Sequence, residues 1–353
     1  MEQKRILIKG NEAVAYAAVA AGCQCYFGYP ITPQSEIPEM LSHLLPESGG
    51  DFVQAESEIA AVNMLLGAGA CGVRAMTSSS SPGISLMQEC ISYMVGSEIP
   101  GVIINMTRGG PGLGSIDASQ ADYFQSTKGG AHGGARTFVL APSTCQECYD
   151  MTIKAFSLAF IYRNPVLILG DAMVAQVKEP VVCWKPEKKL EDNADSWRLN
   201  GNKGRSSRLL RSLNLKEGGL AEHNNNLLRK YLSMQQDIEA EEYFIEDAKL
   251  VVVAFGSIGR IVRSAINTLR EQGYKVGLFR PLTLFPYPSS MLESLAKQGK
   301  NFFVIEQNGG QMVEDVRLAI RHYTDANVHL VPVGVSIGAE DLLQPISEFF
   351  RRI

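Results

Sequence analysis

Along the N-terminal half of the chain, short apolar runs alternate with longer stretches of helical periodicity. Ile6-Leu7-Ile8 predicts a strand that passes through Gly10-Asn11-Glu12 into an Ala-rich helix over 12–21. Cys25–Gly28 predicts the next strand, closed by the turn Tyr29-Pro30. A helix around Glu58–Gly69 leads to the strand Val73–Thr77, and further strands are expected at Gly101–Asn105, Thr137–Leu140 and Pro165–Leu169. Strands alternating with helices imply a parallel sheet covered on both faces.

The pattern changes after Val181. Residues 184–219 carry charges, Asn and Gly with little apolar periodicity and read as linker or surface excursion. A helical run near 220–241 is expected to bridge to the next unit, with Glu239-Ala-Glu-Glu242 as a solvated helix face. A second α/β unit starts at the buried strand Leu250–Phe255 and turns at Gly256-Ser-Ile-Gly259 into a helix over 260–272. The strand Val276–Phe279, a helix near 288–297, the strand Phe302–Glu306, a helix over 310–322 and the strand Val328–Val333 follow. The expected division is 1–183, 184–247 and 248–353.

Composition narrows the function. With 45% hydrophobic and 20% charged residues, the 353-residue chain can bury two or three globular cores. A formal net charge of −4 argues against a nucleic-acid partner. No apolar run reaches the roughly 18 residues of a membrane span, and the start lacks the features of a signal peptide. The expected location is the cytoplasm. Seven scattered cysteines do not form a secreted disulfide framework. Cys145-Gln-Glu-Cys148 is a CxxC pair without a second ligand pair, so both thiols are read as small apolar helix residues, and any iron–sulfur centre belongs to another chain.

Three loops could carry chemistry. In Tyr29-Pro-Ile-Thr-Pro-Gln-Ser-Glu36, two prolines bracket Thr32 and hold its hydroxyl at the C-terminal edge of a strand, where open parallel sheets bind ligands. Glu56 and Glu58 stand at the mouth of an Ala- and Gly-rich helix. One acid there can favour the helix dipole, which leaves the other for a different task. Arg108 follows an apolar strand and enters Gly109-Gly-Pro-Gly-Leu-Gly114, a position suited to gripping a small carboxylate bidentately. The loop lacks the Lys-Ser/Thr ending of a P-loop. Thr77-Ser-Ser-Ser-Ser81-Pro-Gly83 is a similar polar turn, explicable as ligand binding or as helix capping.

In this order, YPITPQ, ESEIAAVNMLLGAG, RAMTSSSSPGISLMQE and NMTRGGPGLG resemble the alpha subunits of 2-oxoacid:ferredoxin oxidoreductases. The resemblance covers residues 1 to about 180, resumes in the last hundred, and points to the branched-chain (2-oxoisovalerate) subfamily. It implies a pyrimidine-type, thiamine-diphosphate-binding parallel-sheet domain followed by a transketolase C-terminal-like α/β domain. In that family a Glu nine residues before a Gly hydrogen-bonds N1′ of the aminopyrimidine; Glu58 and Gly67 have that spacing, which selects Glu58 over Glu56. By the same resemblance Thr32 touches substrate and cofactor, Arg108 binds the 2-oxoacid carboxylate, and Pro30, Ile31 and Ser81 line the cofactor. The Gly-rich segment 129–134, with His132, is expected close to Arg108.

The resemblance also implies partners. The Mg2+-binding GDG…N sequence of thiamine enzymes has only Gly170-Asp171-Ala172 and Asn200 as candidates, and the third Gly is missing. No metal site is therefore expected on this chain. The diphosphate and Mg2+ are expected on a beta subunit, with iron–sulfur clusters on gamma and ferredoxin-like subunits. The implied reaction is oxidative decarboxylation of a 2-oxoacid with coenzyme A to acyl-CoA, CO2 and reduced ferredoxin. Pyruvate or 2-oxoglutarate as substrate, a catalytically silent scaffold paralogue, and a transketolase-like half are the alternatives.

Overall fold

The computed structural model describes residues 5–187 and 193–353; the expectations for residues 1–4 and 188–192 lie outside it. In chain order, β1 (Arg5–Lys9), α1 (Gly10–Ala20), β2 (Cys25–Gly28), α2 (Glu36–Glu47), β3 (Asp51–Gln54), α3 (Glu58–Ala70) and β4 (Ala75–Ser79) come first. Then come α4 (Ser81–Gly96), β5 (Gly101–Thr107), β6 (Phe138–Leu140), α5 (Cys145–Tyr162), β7 (Pro165–Asp171), α6 (Ala172–Gln176) and β8 (Lys178–Val182). The remainder comprises α7 (Gly219–Ser233), β9 (Ala240–Tyr243), β10 (Leu250–Val253), α8 (Gly256–Glu271), β11 (Val276–Pro281), β12 (Thr283–Phe285) and α9 (Ser289–Lys297). It ends with β13 (Asn301–Glu306), α10 (Met312–Ile320), β14 (Ala326–Leu330) and α11 (Ala339–Phe350).

A seven-stranded sheet has the order β12-β6-β7-β5-β4-β2-β3. Its strands β2 to β7 pair in parallel. The runs of β5 and β7 are buried at every position, as expected of strands with helices on both faces. A five-stranded sheet, β14-β13-β10-β11-β9, forms the second unit. β12, from the last third of the chain, pairs antiparallel with β6 and so extends the first sheet. Among the described residues no helix is long and apolar enough to cross a membrane.

One local expectation changes. Glu239–Glu242 is not the end of a helix: α7 stops at Ser233, and Ala240–Tyr243 pairs antiparallel with β11. Arg280 explains the difference, because its guanidinium reaches Glu241 Oε2 at 2.7 Å from the neighbouring strand, and pairing overrides the helix propensity of Ala and Glu. Arg280 also binds Glu147 on α5, so one buried cation ties the two units together. Cys145 and Cys148 lie buried within α5, and burial pushes the Cys145 thiol up to about 12, far from a reactive thiolate.

Candidate functional site

The chemistry-bearing loops leave the C-terminal ends of β2, β4 and β5, which are neighbours in the first sheet. After β2, Tyr29, Pro30 and Thr32 are exposed and Ile31 is half-buried. The loop is held from behind. Asn11 Nδ2 and Gln176 Nε2 donate to Pro33 O at 2.7 and 3.0 Å. The same two amides and Lys9 Nζ reach Glu36, the first residue of α2. Burial alone would raise the Glu36 carboxyl, yet the bonds from Lys9, Asn11 and Gln176 outweigh it and hold it low. Asn11, Glu36 and Gln176 escaped sequence reasoning. The available signal was Gly10-Asn11: a Cβ on Gly10 would lie 2.1 Å from Val174 O, so α1 must begin with glycine against α6.

Ser81, the first residue of α4, joins β5 to this loop. Its Oγ accepts the Arg108 N–H at 3.1 Å, and its own N–H donates to Asn105 Oδ1 at 3.1 Å. Arg108 Nη1 donates to Thr32 O at 3.2 Å, while Arg108 Nε is buried without a partner among the described residues. Thr32, Ser81 and Arg108 are thus brought together. Behind them Asp122 accepts from Asn105 Nδ2 at 2.9 Å, and burial raises its carboxyl against the pull of Asn105 and Ser81.

The two acids at the mouth of α3 separate. Ser57 caps the helix by accepting the Ala60 N–H at 3.2 Å, so the terminus does not depend on Glu58. Glu56 is exposed, whereas Glu58 turns inward and is 6% exposed. Its side chain lies over Gly83 in the first turn of α4, where a Cβ would meet Glu58 Oε1 at 2.5 Å and Ser79 Oγ at 2.1 Å. Among the described residues none hydrogen-bonds or ion-pairs with the Glu58 carboxylate. The buried Ser79 hydroxyl beside it, and those of Thr77 and Ser80 in the same segment, also have no partner among the described residues. Buried polar groups without partners are rare in folded chains and are common where a ligand supplies the missing contacts.

A cleft of about 550 Å3 opens next to Thr32. Ile116, Asp117 and Ala118 line it from the loop after β5, Met173 from α6, and Ser336 from the last third of the chain. That loop folds back on itself through Gly109 N–H to Asp117 O at 3.0 Å. Gly114, at φ +55°, makes the turn possible, since a Cβ there would overlap Gly109 O.

Other expected residues lie elsewhere. The backbone carbonyl of His132 accepts from Ser92 and its ring meets Tyr93 edge-on, eleven residues beyond Ser81 and so roughly 16 Å along α4. The structure does not bring His132 to Arg108, because the segment before β6 packs on the far end of that helix. Asp171 uses one oxygen to cap α6, accepting from Met173 and Val174 at 3.0 Å, and the other to accept the Ser257 hydroxyl. Gly256–Gly259 therefore serves the contact between units.

Comparison with known proteins agrees with this geometry. The family described as pyruvate flavodoxin/ferredoxin oxidoreductase, thiamine diphosphate-binding, matches residues 16–246, and pyruvate:ferredoxin oxidoreductase core domain II matches 248–342. The ketoisovalerate oxidoreductase subunit VorB of Methanothermobacter thermautotrophicus is 49% identical over 89% of each chain. The 2-oxoglutarate synthase subunit KorA of the same organism is 36% identical over 94% of each. Among solved structures, 2-oxoglutarate:ferredoxin oxidoreductase from Magnetococcus marinus superposes with a TM-score of 0.90 at 26% identity, covering 99% of this chain and 66% of that one. A split-gene transketolase, at 13% identity and a TM-score of 0.62 over 98% of both chains, shares the fold. The chain belongs to the thiamine-diphosphate-binding pyruvate flavodoxin/ferredoxin oxidoreductase family.

Proposed function

We propose that this chain is the subunit of a 2-oxoacid:ferredoxin oxidoreductase that holds the pyrimidine side of thiamine diphosphate and the substrate carboxylate. The reaction is oxidative decarboxylation of a branched-chain 2-oxoacid with coenzyme A to acyl-CoA, CO2 and reduced ferredoxin. One observation carries the reading: Thr32, Ser81 and Arg108 meet at one sheet edge, and an inward, unpaired Glu58 lies over the first turn of the helix that Ser81 begins. The donor set fits half of the cofactor. Glu58 offers a carboxylate to a ring nitrogen, and the orphaned Ser79 hydroxyl lies beside it.

Bound thiamine diphosphate supplies the carbanion-stabilising chemistry. Glu58 holds a proton at N1′ of the pyrimidine, in a pocket whose burial strengthens that hydrogen bond. Arg108 orients the carboxylate of the acid; Ser81 fixes its backbone and the Thr32 carbonyl holds one arm of its fork. Thr32 presents its hydroxyl, with Pro30 and Ile31 completing the cofactor side of the loop. The division at 183 and 247 belongs to this reading; the limits of the two family matches, 246 and 248, support the second boundary.

The diphosphate side falls to a partner. Ile59 on α3, next to Glu58, and Leu86 on α4, one turn beyond Gly83, leave apolar surface exposed, which a beta subunit carrying the diphosphate and Mg2+ would cover. Gamma and ferredoxin-like subunits carry the iron–sulfur clusters. Free thiols throughout suit a reducing compartment, and we place the assembly in the cytoplasm. Identity to the ketoisovalerate enzyme subunit exceeds that to the 2-oxoglutarate one, and the cleft presents Glu36 and Asp117, which disfavour a second substrate carboxylate.

Anaerobic, substrate-dependent viologen reduction, comparing the chain alone with the complex it assembles in, tests the proposal. Activity confined to the complex and strongest with 2-oxoisovalerate is the expected result. Activity in the isolated chain, or none in an intact complex, contradicts it.

A further inference from the structure

Beyond Arg108, the loop after β5 meets the C-terminal edge of the five-stranded sheet through a buried polar joint. Gln120 Nε2 donates to Phe255 O at 2.8 Å, just past β10, and Gln120 Oε1 accepts the Gln307 N–H at 3.0 Å, just past β13. Bonds to the Gln120 backbone reinforce the contact: its N–H donates to Gln307 O, and its carbonyl accepts from the Asn308 side-chain Nδ2. Gln307 then donates from Nε2 to Pro332 O at 3.2 Å and to Val335 O at 2.7 Å. Both glutamines are almost wholly buried.

What hangs on each side gives the joint its interest. Immediately before Gln120, Ile116, Asp117 and Ala118 line the cleft beside Thr32, and immediately after Val335, Ser336 lines it too. An amide suits the Gln120 position because one side chain must face a carbonyl and an N–H at once; a packing residue needs neither.

We propose that Gln120 and Gln307 are positioning residues that fix the width of the cleft beside Thr32 and Arg108, and with it the size of 2-oxoacid side chain accepted. The second unit then shapes the substrate pocket in addition to holding subunits together. This inference rests on the carboxylate site proposed at Arg108.

Gln120→Met and Gln307→Met keep side-chain length and remove the amide bonds. In the assembled complex, the kcat/KM ratio of 2-oxoisovalerate to the longer 2-oxo-4-methylpentanoate should fall about tenfold in each variant, with kcat for the better substrate within about threefold of wild type. Amide hydrogen exchange over 109–118 and 332–338 should speed up in both. An unchanged substrate ratio overturns the proposal, as does a uniform loss of kcat on every acid, which marks a merely structural joint. Should the wild-type complex turn over no 2-oxoacid, the functional reading fails. The exchange rates then decide the joint, and unchanged protection overturns it.

Discussion

Gly83→Ala tests the placement of Glu58 by adding one methyl group. In the first turn of α4 the new Cβ would fall 2.5 Å from Glu58 Oε1, 2.9 Å from its Cγ and 2.1 Å from Ser79 Oγ. Ser79 can relieve its contact by rotating, but the glutamate must retreat by about 0.9 Å to reach an ordinary van der Waals separation. Overpacking of this kind costs about 1–3 kcal/mol. Replacing a helical glycine returns about 0.5–1 kcal/mol, so the net loss of stability is at most about 2.5 kcal/mol and the fold survives. Displacement of a reacting group by about 1 Å costs on the order of 100-fold in rate. The expectation is therefore a large fall in viologen reduction by the assembled complex with a small fall in Tm. Turnover within threefold of wild type would refute the claim that Glu58 works from this position.

Further substitutions separate other parts of the account. Arg108→Lys keeps the charge but loses the fork, and should raise KM for the 2-oxoacid by about tenfold or more with assembly intact, as initial-rate kinetics will show. Asn11→Ala removes the bonds to Pro33 O and Glu36 behind Thr32, and should lower stability by about 1–2 kcal/mol in urea unfolding while raising KM. Glu147→Gln should cost about 2 kcal/mol at pH 7, because Arg280 keeps only Glu241. Burial opposes ionisation of Glu147, but Arg280 and Ser143 outweigh it and hold the carboxyl below its ordinary 4.5. A lowered folded value means that its contribution is complete above pH 4.5 and is lost as pH falls through that lowered value. The gap between wild type and variant in urea unfolding should follow the same course.

Much of this architecture was legible because apolar runs in buried parallel strands are continuous. Gly101–Asn105, Pro165–Leu169 and Leu250–Phe255 announced β5, β7 and β10 for that reason. β12 was not legible, since three residues that add to a sheet far back in the sequence carry no periodicity of their own. Nor was β9, where Glu-rich sequence favours a helix until Arg280 arrives from a neighbouring strand. In the site, the loop motifs marked Thr32, Glu58 and Arg108 individually, and the structure places Ser81 between Arg108 and the strand ends. The supports of these residues were hidden. Asn11, Gln120, Gln176 and Gln307 are single polar side chains whose partners lie more than twenty residues away, and no spacing rule links them.

The most direct measurement of the central claim is turnover of the complex carrying Glu58→Gln, made with saturating thiamine diphosphate, coenzyme A and 2-oxoisovalerate. A glutamine keeps the shape but cannot share the proton at the pyrimidine nitrogen, so turnover should fall by at least about 100-fold while the subunits stay assembled. Undiminished turnover in that complex would contradict the account.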